Sequence, residues 1–196
     1  ISDLSEIVVD NEDPGFTSGN LITESPLKKL FGISNRRSNT YMQISQWNVP
    51  EYWQPVVLTS YFGKYARSAV YTRAGTGDNA ITWSAVINEP GYYDIYCYVG
   101  KSADRMTIRS ERGGGQQGSQ GSGGEQQEEN RFKDFHYKVY HDEGVEEITL
   151  DYENADAGWN NLGRYYVSTD TARVVLSNQS AGRLVIGDAV KWVKVE

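Results

Sequence analysis

The residues with the clearest chemical potential are aromatic side chains beside amides in segments predicted to be loops. Trp159 follows Gly158 and precedes Asn160 and Asn161, so one short segment carries a ring and two amides. Flat aromatic rings bury the apolar C–H faces of sugars, and Asn amides both donate to and accept from hydroxyls. The segment predicts a sugar contact. The alternative is a core role for Trp159, as is usual for tryptophan in a β-sandwich.

A second aromatic group lies earlier in the chain and predicts a second possible platform. It contains Trp47 and Trp53, with Tyr65 and Arg67 shortly after them. The guanidinium could donate to hydroxyls while the rings stack. Here too the alternative is burial, in a proline-containing packed loop.

Carboxylates near both ends of the chain predict a structural calcium site, and any cofactor is limited to that ion. Asp10, Glu12 and Asp188 supply the oxygen ligands that calcium prefers, and Asp13 lies beside them. They would come together because the first and last strands usually neighbour each other in such folds. The alternative is ordinary turn chemistry, in which Asp and Asn satisfy local amides.

Nothing in the chain has the pattern of a catalytic centre. The only histidines are His136, within an alternating strand pattern, and His141, in a predicted hairpin turn. The Gly-x-Ser-x-Gly elbow, the phosphate-binding loop and the His-Glu-x-x-His motif are all missing from the sequence. The net charge of −7 argues against nucleic acid as a partner, and no apolar run is long enough to insert into a membrane. We therefore expect a non-enzyme.

The elements that would position these residues are short strands. Alternation places Tyr93, Ile95 and Cys97 on one face, which makes the single cysteine a buried, inert thiol. Trp83 and Trp192 lie in similar patterns and are predicted to be core. Further strands are predicted at 6–10, 69–72, 80–86, 92–99, 135–140, 147–152, 163–167, 171–177 and 184–195, with 158–161 as a loop.

One insert interrupts this pattern. Residues 110–129 consist of Gly, Gln, Ser, Glu and Arg, with no apolar side chain. Such a composition cannot bury enough surface to offset its ordering entropy, so it predicts a flexible loop within one domain spanning 1–196.

Three groups of segments together resemble a known family, the golvesin and xanthan-lyase C-terminal domain, described as carbohydrate-binding-module-like. They are 9–16; 74–83 with 90–96; and 137–144 through 158–166 to 188–193. The resemblance covers roughly two-thirds of the chain, in order. Residues 21–60 and the Gly/Gln insert depart from it by being longer. It implies a β-sandwich attached to large exported bacterial proteins, including Bacteroidetes proteins often labelled xanthan lyase; that label belongs to whole multidomain chains.

Together these observations predict an all-β, antiparallel, jelly-roll-like sandwich of the galactose-binding-domain type, with eight or nine strands. The expected function is that of a non-catalytic carbohydrate-binding-like accessory module of an exported protein, located outside the cell, on its surface or in the periplasm. Its expected partners are a polysaccharide or cell-surface glycan and the other domains of the parent chain. The alternatives are a structural interdomain module without a sugar ligand and, less favoured, polysaccharide lyase activity in this domain.

Overall fold

A computed structural model describes residues 6–19, 49–63, 66–101, 131–168 and 171–195. These residues form twelve strands and, within the described ranges, no helix. The strands are β1 Glu6–Val9, β2 Phe16–Ser18, β3 Gln54–Val57, β4 Ser68–Arg73, β5 Ala80–Val86, β6 Gly91–Val99, β7 Asp134–His141, β8 Gly144–Asp151, β9 Gly158–Val167, β10 Thr171–Ser177, β11 Leu184–Gly187 and β12 Val190–Lys194.

The strands pair into three antiparallel sheets. A four-stranded sheet has the order β1-β12-β6-β9, a five-stranded sheet the order β2-β5-β10-β7-β8, and a three-stranded sheet the order β11-β4-β3. As predicted, the first and last strands are neighbours, with Glu6 opposite Val193 and Val9 opposite Val190. The predicted class, an all-β antiparallel sandwich, is confirmed.

Alternation of inward and outward residues along β5, β6 and β7 builds much of the core, whereas β4 and β11 are buried along almost their whole length. In β6 the inward residues Tyr93, Ile95, Cys97 and Val99 are all buried. Trp83 and Trp192 are completely buried, as their patterns predict. The Trp83 indole donates to the Asp188 carbonyl oxygen at 3.0 Å and thereby ties β5 to the segment between β11 and β12. Rings of this size dominate the burial energy of a domain.

The thiol of Cys97 is enclosed by this core. Burial raises the pKa of Cys97 to about 12, so at neutral pH the group stays protonated. The prediction that the cysteine is buried is confirmed, and a protonated thiol is a poor nucleophile.

Three expectations about the strands need correction. The described residues contain twelve strands and not eight or nine, in part because β2 and β3 are short pieces of three and four residues that only their pairing partners reveal. The last predicted strand is broken at Asp188 and Ala189, where the chain passes from the three-stranded to the four-stranded sheet. The predicted loop at 158–161 is the first part of β9, which pairs with β6 along its length. The Gly/Gln insert at 110–129 lies outside the described residues.

Candidate functional site

The outward face of the four-stranded sheet carries a row of aromatic and polar side chains that could contact a ligand. Because β6 points its odd-numbered residues inward, its even-numbered residues point outward, and β9 places partners opposite them. From one end of this face to the other, the pairs are Tyr98 with Trp159, Tyr96 with Asn161, Asp94 with Arg164, and Tyr92 with Tyr166. We call this surface the aromatic face.

An aromatic cluster occupies one end of the aromatic face. The Trp159 ring lies edge-on to Tyr98, with centroids 5.1 Å apart, and edge-on to Phe62 at 5.2 Å. Phe62 comes from the segment after β3 and lies 5.6 Å from Tyr98. Trp159 is half-buried and therefore belongs neither to the core nor to a free loop. Packing of this kind holds a ring in one orientation before any ligand arrives.

Lys191 adds a positive charge to the same end. Its ammonium lies 4.7 Å from the centre of the Trp159 ring and 5.2 Å from that of Tyr96. It also pairs with Glu6 at 3.5 Å across the β1–β12 register. A cation over a ring is held by the ring quadrupole, so Lys191 is an oriented donor at the edge of the cluster.

The opposite end of the aromatic face carries a second pair of rings. Tyr92 and Tyr166 are 56% and 39% exposed and lie edge-on at 5.2 Å. Between the two ends, the Arg164 guanidinium donates hydrogen bonds to both Asp94 carboxylate oxygens, at 2.7 and 2.9 Å. These hydrogen bonds hold the pKa of Asp94 below its usual range. Tyr98 and Tyr92 are six residues apart along β6, or about 20 Å in a strand.

The amides next to Trp159 are engaged within the chain. The Asn160 amide oxygen accepts from the Asp156 N–H at 2.9 Å, and its nitrogen donates to the carbonyls of Asp156 and Gly158. The oxygen of Asn161 accepts from the Gly163 N–H at 2.8 Å. Asn161 is exposed and points to the aromatic face, whereas Asn160 shapes the turn before β9.

A bulge in β9 allows this arrangement. Ile95 faces Gly163 whereas Tyr96 faces Asn161, so Leu162 is the extra residue, and it is buried. Gly163 has a φ of +126°, which favours glycine, and a Cβ there would lie 2.5 Å from the Tyr165 hydroxyl. The Tyr165 hydroxyl donates to the Leu162 carbonyl at 3.0 Å and fixes the bulge.

The second predicted platform does not assemble as expected among the described residues. Trp53 is only 5% exposed and offers no ring face to a ligand, so the structure removes it from the candidate site. Arg67 is exposed, and its guanidinium donates to the Thr59 carbonyl at 2.8 Å within the segment that carries Phe62. Trp47 and Tyr65 lie outside the described residues.

Two of the three predicted calcium ligands are buried carboxylates. Burial raises the pKa of Asp188 to about 8 and that of Asp10 to about 7. One Asp188 oxygen accepts from the Phe62 N–H at 2.9 Å, while the other is buried without a hydrogen-bond partner. Glu12 instead accepts from the Ser68 hydroxyl at 3.3 Å.

The carboxylate oxygens of Asp10 and Asp188 are the type of ligand that calcium prefers, but they are too few to fill its coordination shell. An orphaned buried carboxylate oxygen fits a hard cation. Yet within the described ranges no group of three or more Asp, Glu, His or Cys side chains is placed to hold a metal ion. A calcium bound by Asp10 and Asp188 would need backbone carbonyls or water as its remaining ligands. The structural calcium therefore stays a prediction.

The histidines are engaged in local contacts. His136 lies on the outward side of β7, as predicted, with its ring nitrogens 2.7 Å from an Asp134 oxygen and 3.3 Å from the Thr149 hydroxyl. His141 packs against the Tyr165 ring at 4.6 Å.

The described segments contain no helix suited to crossing a membrane.

The outward residues of β6 and the side chains of Arg164 and Lys191 were not among the residues predicted for the site from the sequence. The signal was present in the alternation of residues 92–98, where inward apolar positions leave Tyr92, Asp94, Tyr96 and Tyr98 on the other side. The sequence does not reveal that β9 lies beside β6 on this face, because their pairing joins residues that are distant in the chain.

Comparison with known families bears on the resemblance noted in the sequence. The family model of the Golvesin C-terminal domain matches residues 125–194, a range that includes β7 to β12. This confirms the resemblance to the golvesin and xanthan-lyase C-terminal domain in that part of the chain. No curated protein matches the chain.

Among solved structures, one shows a similar fold over nearly the whole chain. A xanthan lyase from Paenibacillus is similar with a TM-score of 0.61 and 17% identity, over 98% of this chain and 13% of the lyase. A Podospora anserina GH26-CBM35 β-(1,4)-mannanase matches at 0.40 and 13% identity, over 76% of this chain and 27% of its own. A ruminal GH26 endo-β-1,4-mannanase matches at 0.38 and 11% identity, over 79% and 23%. Only the first is close enough to bear on the fold, and this chain spans a small part of its length.

Proposed function

We propose that the chain is a non-catalytic carbohydrate-binding accessory module of a larger exported protein, and that its aromatic face contacts a polysaccharide. The observation that carries the proposal is the cluster of Trp159, Tyr98 and Phe62, held edge-on at one end of an open sheet face. Rings of this kind bury the apolar faces of sugar rings, and Arg164 and Lys191 supply donors to hydroxyl or carboxylate oxygens nearby.

The geometry of the face favours a chain over a single sugar. Its two ring pairs, Trp159 with Tyr98 and Tyr92 with Tyr166, are about 20 Å apart along the strands. A ligand that contacts both pairs must be an extended oligosaccharide. Binding through several weak contacts suits a module that holds a parent protein near its polysaccharide.

The comparisons support the fold of such a module and leave its ligand open. The chain corresponds to 13% of the length of the Paenibacillus xanthan lyase. An accessory role within a larger protein is consistent with that proportion. Xanthan, the polysaccharide in the name of that enzyme, is the first ligand to test.

The experiment is a glycan array with the purified chain, followed by affinity electrophoresis in gels that contain xanthan. Retention by any polysaccharide, with no release of reducing ends, supports a binding module. Release of unsaturated products would instead reveal lyase activity in this domain. An array without any signal, together with unretarded migration in polysaccharide gels, would remove the proposal.

A second candidate function is an interdomain contact without a sugar ligand, which one observation favours. Val86 is 68% exposed at the end of β5, and Tyr92 is exposed at the start of β6 only a few residues later. Exposed apolar side chains at one end of a sandwich are suited to covering by a neighbouring domain. Co-purification of the chain with the adjacent domains of its parent protein, lost in a Val86→Ser variant, would support this function.

A further inference from the structure

A polar cleft lies on the side of the molecule formed by the three-stranded and five-stranded sheets. It has a volume of about 460 Å³ and lies between the segment before β3, the loop from β4 to β5, and the residues after β10. The side chains that matter are Glu51, Tyr52, Arg73, Asp78 and Asn178. It has no residue in common with the aromatic face.

One wall of the cleft is fixed by a buried amide. Asn178 is 4% exposed, and its oxygen accepts from the N–H groups of Gly77 at 3.0 Å and Asn79 at 3.2 Å. Its nitrogen donates to an Asp78 oxygen at 3.3 Å. Gly77 has a φ of +100°, a conformation that favours glycine. The loop is therefore held in one shape by a side chain that solvent barely reaches.

The opposite wall is tied to the same loop. The Arg73 guanidinium donates to the Val49 carbonyl at 3.2 Å and pairs with Glu51 at 3.4 Å. The Asn79 amide donates to the Glu51 carbonyl at 3.3 Å. Both walls are thus connected before any ligand binds, which lowers the entropy cost of binding.

The chemistry of the lining points to hydroxyl groups. Tyr52 lies at the wall and is 47% exposed, so its side chain offers an apolar surface for stacking. The carboxylates of Glu51 and Asp78 accept from hydroxyls, while the Arg73 guanidinium donates to them. Two carboxylates against one guanidinium disfavour an anion, and the volume is within the range of small-ligand sites.

We propose that this cleft is a second binding site, which takes a neutral sugar as a single unit or a short oligosaccharide. It is independent of the aromatic face and would act even if that face bound no polysaccharide. If both sites bind, one module holds two segments of glycan, and the retention of the parent protein gains from their combination.

The test is a set of NMR titrations of the ¹⁵N-labelled chain with glucose, mannose, galactose, cellobiose and mannobiose. We expect one or more of these to shift the amide signals of Gly75, Gly77 and Asn79. Tyr52→Ala should weaken that response about tenfold or more by removing the stacking surface. Trp159→Ala should leave it unchanged, since that ring belongs to the aromatic face.

Three outcomes would overturn the proposal. The first is that no neutral sugar shifts the cleft amides. The second is that glucuronate shifts them as strongly as the best-binding neutral sugar does, since the two carboxylates should repel an anion. The third is an unchanged titration of Tyr52→Ala. A melting curve of each variant confirms that it is folded, and Tyr52→Phe, which keeps the ring, should retain binding.

Discussion

Asp188 and Asp10 are both buried at the same end of the paired first and last strands, where Asp10 follows β1 and Asp188 precedes β12. Burial, reinforced by the charge of Asp10, raises the pKa of Asp188 to about 8. Burial likewise raises the pKa of Asp10 to about 7, with Asp13 and Glu12 adding to the effect. Because an unfolded Asp has its ordinary pKa, the folded chain holds protons at neutral pH that the unfolded chain has released.

The first prediction is that stability decreases as the pH rises. An acid whose pKa is raised by folding contributes stability at low pH and loses it as the pH passes from the unfolded to the folded pKa. Without calcium, the melting temperature of the chain should therefore fall between about pH 5 and pH 9, by at least several degrees.

The matched variant for this measurement is Asp188→Asn, a neutral group of the same shape. It should flatten the decrease in melting temperature with pH, and at pH 9 it should equal or exceed the wild-type protein. Calorimetry across the pH range measures both proteins. A wild-type curve as flat as that of the variant would show that Asp188 titrates normally.

The second prediction concerns the structural calcium. A cation between Asp10 and Asp188 would replace the protons and relieve the repulsion of two buried negative charges. Calcium should then raise the melting temperature at pH 8 to 9 and have little effect near pH 5, where protons compete for the carboxylates.

Magnesium provides the comparison, since its smaller size and stricter geometry disfavour such a site. Asp188→Asn should abolish the calcium response, and Glu12→Gln should reduce it only if Glu12 also binds the ion. If neither calcium nor a saturating chelator changes the melting curve, the predicted calcium site does not exist.

The third prediction concerns the Gly/Gln insert at 110–129. Its sequence contains no apolar side chain, so little burial energy is lost with it. Replacing it with a short Gly-Ser linker, while keeping 102–109 and 130–133, should leave the melting temperature within about 2 °C of the original. A loss of several degrees would show that the insert packs against the domain.

The sequence was informative where the fold depends on local alternation. The inward row of β6, the buried tryptophans 83 and 192, and the bounds of β5 and β10 all follow from patterns within one strand. It was misleading at Trp159, because Gly158, Asn160 and Asn161 are residues typical of loops. Pairing with β6 overrides that preference, and a pairing between residues about sixty positions apart leaves no local signal. At Trp53 the opposite happened: a residue predicted to be exposed to a ligand is buried, because the proline-rich sequence around it does not reveal burial.

The fourth prediction separates binding from folding at Trp159. The half-buried ring touches Tyr98, Phe62 and Lys191 without lying in the core, so Trp159→Ala should cost about 1–3 kcal/mol of stability. A fully buried ring costs more, and Trp83→Ala should lose roughly 3–5 kcal/mol or fail to fold. If the aromatic face binds a polysaccharide, Trp159→Ala should also weaken that binding by about 2 kcal/mol or more, which is close to thirtyfold.

Tyr140→Ala is the matched control for Trp159→Ala. Tyr140 is half-buried on the outward side of β7, with the Arg173 guanidinium 3.7 Å from its ring centre, and therefore belongs to another sheet. Its loss should lower the melting temperature to a comparable extent and leave polysaccharide binding unchanged. Trp159→Phe, which keeps a ring in the cluster, should recover part of the affinity. Folded Trp159→Ala protein that binds as tightly as the original would exclude this ring as a platform. The polysaccharide contact would then have to lie at the exposed pair, Tyr92 and Tyr166, where Tyr92→Ala gives the corresponding measurement.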